Sequence, residues 1–93
     1  MKYEQAQNAL ARLNIHLPTL TDVALEQMVF GRGITSRTLV TMHRSAKTLA
    51  RNRHIPHRGK LLTLREEAHG ALLLKAHAGD QEARSYLHEL SKV

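Results

Sequence analysis

Apolar residues recur at spacings of three and four in five stretches of this chain, and each stretch predicts a helix. In the first, about residues 3 to 13, Tyr3, Ala6, Leu10 and Leu13 share one stripe. It must end before Pro18, which disfavours helix at Leu17. A second helix is expected to begin near Thr21 or Asp22, since either side chain can cap the free amides of a first turn. It runs through Val23, Ala24, Met28 and Phe30 and stops at Gly31-Arg32-Gly33. The third starts with Ser36 as cap and continues to about Asn52, with Leu39, Met42, Ala46, Leu49 and Ala50 inward. Residues 53 to 60 hold a proline and a glycine and read as a basic loop.

The fourth helix is predicted to open on a capping box, Thr63 bonding forward and Glu66 reaching back. Glu66 and Glu67 also suit the positive end of the helix dipole. Leu72, Leu73 and Leu74 are apolar in every direction, so this helix is expected to be the most buried. Gly70 costs about 1 kcal/mol in mid-helix relative to alanine and reads as a close helix crossing. Gly79 can end the helix in the left-handed conformation, and Asp80 can cap a fifth, with Ala83, Tyr86, Leu87 and Leu90 inward. The expected fold is all-α: one compact domain over residues 1–93, a bundle of about five short helices, the last two an αα-hairpin.

Composition narrows the chemistry. There is no cysteine, which excludes disulfides, thiolate zinc sites and cysteine nucleophiles. The three aromatic residues, Tyr3, Phe30 and Tyr86, leave no platform for stacking single-stranded bases. Neither a secretory signal nor a membrane-spanning run is visible, so a soluble cytoplasmic protein with no membrane partner is expected.

Charge changes the picture most. From Gln27 to Arg65 there is no aspartate or glutamate, yet nine of the fourteen lysines and arginines lie there. On the third helix Arg37, Thr41, Arg44, Thr48 and Arg51 alternate four and three on the side opposite the apolar stripe. The three arginines are spaced about 10.5 Å apart along the axis, and Lys47 widens the row. Like charges crowded without acids point to a polyanionic partner. Arginine outnumbers lysine seven to two in this span, which favours bidentate contacts to phosphate or carboxylate.

Residues Leu25 to Arg44 resemble a helix-turn-helix DNA-binding motif. Gly33 matches the turn glycine, Ile34 the apolar residue after it, Ser36 the start of the recognition helix, and Leu39 and Met42 its inward positions. The resemblance implies that residues from Thr35 to Thr41 approach base edges while basic neighbours hold phosphates. Arg37, Thr38 and Thr41 would then face the groove, with Arg44, Lys47, Arg51, Arg53, Arg58 and Lys60 on the backbone. The leading expectation is a non-enzymatic regulatory or accessory protein binding nucleic acid, duplex DNA favoured, with a homodimer left open. The alternative uses the same residues: a small adaptor or inhibitor, of a kind found among bacterial accessory and phage-encoded proteins, docking on an acidic protein surface.

Seven histidines are scattered along the chain, and none forms the i, i+4 pair of a helical zinc site. Histidine and lysine together can perform acid–base chemistry on RNA, but nothing in the spacing fixes two histidines together. No catalytic residue, metal site or cofactor is expected.

Overall fold

The computed structural model describes residues 1–92 and contains five α-helices and, among those residues, no strand. They are α1 (Tyr3–Arg12), α2 (Asp22–Phe30), α3 (Ser36–Ala50), α4 (Arg58–His77) and α5 (Gln81–Ser91), with a short 3-10 turn at Leu17–Thr19. The all-α bundle and its closing αα-hairpin follow the apolar pattern. None of the described helices is long and apolar enough to cross a membrane.

α3 is the central element. It packs along α4, against α1 and against α5. Leu39, Met42, Ala46, Leu49 and Ala50 are all buried, as the three-and-four spacing requires. Ala6 and Leu10 cover it from α1, Leu61, Leu64, Ala68, Ala71 and Leu72 from α4, and Ala83 and Tyr86 from α5. α2 packs on α4 rather than along α3, burying Leu25 and Val29.

Helix ends are set by local chemistry. Thr21 Oγ1 accepts from the Ala24 amide, and Asp80 Oδ1 accepts from the Ala83 amide, so both expected caps form. α1 ends at Asn14, which takes a positive φ of 60° while the Ile15 amide reaches back to the Leu10 carbonyl. α4 ends the same way. Gly79 has φ 99°, its amide donates to the Ala76 carbonyl, and the Asp80 amide donates to the Lys75 carbonyl, the two bonds of a Schellman motif.

Several boundaries differ from the sequence reading. The cap of α3 is Thr35, whose Oγ1 accepts from the Thr38 amide; Ser36 is the first residue inside the helix and is buried. α4 starts at Arg58, five residues before Thr63, so the expected loop at 53 to 60 is cut short and Arg58 and Lys60 are helical. No capping box forms there. With the helix already running, the Thr63 hydroxyl donates to the Gly59 carbonyl one turn back. What fixes the early start is a pair of tethers. Arg58 Nε donates to the Ala50 carbonyl at the end of α3 (2.8 Å), and Lys60 Nζ donates to the Leu17 carbonyl (3.0 Å).

α3, not α4, is the most buried helix. Leu72 is fully covered, but Leu73 is 42% and Leu74 62% exposed. α2, α3 and α5 pack on α4 but leave the side that carries Leu73 and Leu74 to solvent. Gly70 marks no crossing within the chain, because a Cβ built on it would meet nothing within 4 Å.

Candidate functional site

Acids contributed by α5 divide the basic row of α3. Arg37 Nε lies 3.7 Å from Glu82 Oε1, and Arg44 Nη2 donates to Glu89 Oε2 at 3.2 Å. Glu82 and Glu89 are seven residues apart, the same interval as Arg37 and Arg44, so two helices running alongside each other match charge for charge. These exposed pairs are individually weak. Their consequence is local: the N-terminal two-thirds of the row is close to neutral. Arg44 also lies over the Tyr86 ring, 5.0 Å from its centroid.

Other residues of the row are tied up differently. Thr41 Oγ1 donates to the Arg37 carbonyl, and Thr38 Oγ1 shares a hydrogen bond with Thr35 Oγ1 at 3.0 Å. Arg58 and Lys60 are occupied by the backbone carbonyls that start α4. The helix-turn-helix resemblance therefore does not extend to packing. A recognition helix must stand clear of the body to enter a groove, whereas α3 is enclosed by α1, α4 and α5.

A different constellation is left free. α3 and α4 run antiparallel, linked by residues 51 to 57, and their side chains meet across a cleft of about 520 Å³. Lys47 projects into it from α3; Arg65, His69 and Glu66 project from α4. Among the described residues neither Lys47 nor Arg65 has a carboxylate within salt-bridge distance. Arg51 caps α3 one turn beyond Lys47, Arg53 follows in the link, and both are exposed and unpaired. Of the nine expected binding residues only Lys47 lines the cleft, opposite Arg65 of α4; Arg51 and Arg53 follow Lys47 in the chain, at the end of α3 and in the link.

His43 forms the floor of the cleft. It is only 4% exposed, its Nδ1 lies 2.6 Å from the Tyr86 hydroxyl, and its ring centroid is 5.8 Å from that of His69. Burial pushes its pKa down to about 4, and the charges of His69, Arg65 and Lys47 act in the same direction. At neutral pH the ring is uncharged. Burial likewise pushes the Tyr86 phenol up, so it stays protonated. Sequence reading missed this pairing because His43, His69 and Tyr86 lie on three helices, and no local spacing announces it. The hint available was His43 falling next to Met42 on the buried side of α3.

Among the described residues no trio of histidine, aspartate or glutamate side chains converges as a metal ion would need. Comparison with protein-family models, curated proteins and solved structures finds no match to this chain.

Proposed function

We propose that this protein binds a polyanion, duplex nucleic acid favoured, through the cationic end of the α3–α4 hairpin. One observation carries the reading: among the described residues Lys47, Arg51, Arg53 and Arg65 have no acidic partner within salt-bridge distance, while α5 places carboxylates beside Arg37 and Arg44. Charged side chains left unpaired in one region create a positive potential that attracts phosphates and is screened by salt. Because Thr38 and Thr41 spend their hydroxyls inside α3, contacts go to the backbone and carry little sequence information.

Salt dependence tests this. Four phosphate contacts predict a slope of log affinity against log salt of about −3 to −4 on B-form duplex. Replacing Lys47, Arg51, Arg53 and Arg65 by alanine abolishes that slope, whereas Arg37→Ala with Arg44→Ala changes it little. Unrelated duplexes of equal length bind alike. Absence of duplex binding at about 20 mM salt, where such contacts are strongest, overturns the reading. The same end then fits the second use of these residues, an acidic protein surface, for which Leu62 and Leu90 beside the cleft supply apolar contact.

A further inference from the structure

We infer that the α3–α4 cleft is a site for a single phosphate group, held by Lys47, Arg65, His69 and the Nε2–H of His43. The inference deepens the polyanion reading and rests on it for the class of partner, but the cleft itself can be probed without any duplex.

The argument begins with His43. A phenol is a stronger acid than a neutral imidazole, so across the 2.6 Å contact the Tyr86 hydroxyl donates and Nδ1 accepts. The single ring proton is then on Nε2. That nitrogen has no partner among the described residues and is not among their buried unsatisfied atoms, so it reaches solvent on the side the ring presents to the cleft. A neutral donor pinned from behind is pre-oriented for an oxyanion, at little cost in side-chain freedom.

Around it the donors converge. Lys47 and Arg65 bring two formal positive charges from opposite helices, and both side chains are half-buried, which strengthens their field. His69, with its ring 5.8 Å from that of His43, adds a second imidazole. Glu66 is the one carboxylate at the rim, and it is exposed. The balance of four donors against one acceptor group selects an anion. At 5.8 Å between centroids the two rings sit side by side with no room for a group between them, so an anion would lie over their cleft-facing edges, and arginine with lysine is the pairing such groups favour.

The phosphate could belong to a small phosphorylated molecule or to a nucleic-acid backbone, and two titrations separate these sources. In the first, inorganic phosphate is added at constant ionic strength while the imidazole nitrogens of His43 and His69 are followed by NMR. Saturable shifts at about millimolar phosphate are expected, with chloride producing none. Lys47→Ala with Arg65→Ala should weaken binding at least tenfold. Arg12→Ala with Arg32→Ala removes the same net charge from exposed positions elsewhere and should leave binding unchanged. Thermal melting of both double variants checks that the fold persists. Shifts that fail to saturate, or that survive in the Lys47/Arg65 variant, overturn the inference.

In the second titration duplex replaces inorganic phosphate. Displacement of bound phosphate by duplex assigns the cleft to a backbone phosphate; duplex binding that leaves phosphate in place assigns it to a small ligand. If duplex never binds but phosphate saturates as above, the polyanion reading fails and the cleft stands.

Discussion

The Tyr86 hydroxyl donates to His43 Nδ1, and both residues are buried. Tyr86→Phe removes the donor and strands the ring nitrogen, at a cost of about 1–2 kcal/mol by chemical denaturation. His43 also makes stability depend on pH. Its folded pKa of about 4 lies below the ordinary 6.5, so between those values the unfolded chain binds a proton that the folded chain refuses. This contribution is full above about pH 6.5, shrinks as the pH drops, and is gone near pH 4. The loss should be of order 2 kcal/mol, less than the whole shift implies, because the ring borders an open cleft. Denaturation midpoints of the wild type and of His43→Gln across this window provide the check: the variant keeps an acceptor for Tyr86 but loses the slope.

At the scale of elements, two glycines of the α4–α5 hairpin should respond in opposite directions to the same substitution. Gly70 lies in mid-helix with open space where a Cβ would go, so Gly70→Ala should stabilise by about 0.5–1 kcal/mol. Gly79 holds φ 99° at the end of α4, so Gly79→Ala should destabilise by about 1 kcal/mol although it too has room. Thermal unfolding of the two variants separates conformational from steric roles. The same hairpin marks how far local sequence can be read. Asp80 and Gly79 announce the turn because capping is a contact between near neighbours in the chain. The start of α4 was illegible because Arg58 and Lys60 are held by carbonyls 8 and 43 residues away. Thr63 and Glu66 carry a capping signal that these tethers override.

For the whole molecule, the inward stripes of α1, α3 and α5 follow from periodicity, since burial of one helical face is a local property of spacing; the exception is Tyr3, expected inward at the start of α1 but 40% exposed. The candidate site was only half legible. Counting charges located the basic span, but which charges remain free depended on α5 coming to rest beside Arg37 and Arg44. Exclusion of acids along the chain did not mean exclusion in space. Leu73 and Leu74 show the converse limit: apolar residues on an element read as buried stay exposed when no neighbour covers that side.

The helix at the centre of the packing also occupies the middle of the chain, flanked in sequence by the segments that enclose it. α4 reaches it after a seven-residue link, and α5 reaches α4 after three. Closing such short loops is quick, and helical proteins dominated by nearby contacts fold in microseconds to milliseconds. Stopped-flow or temperature-jump relaxation should therefore give one fast exponential. During synthesis the scaffold around α3 could begin to assemble once α4 has left the ribosome, before α5 has followed it.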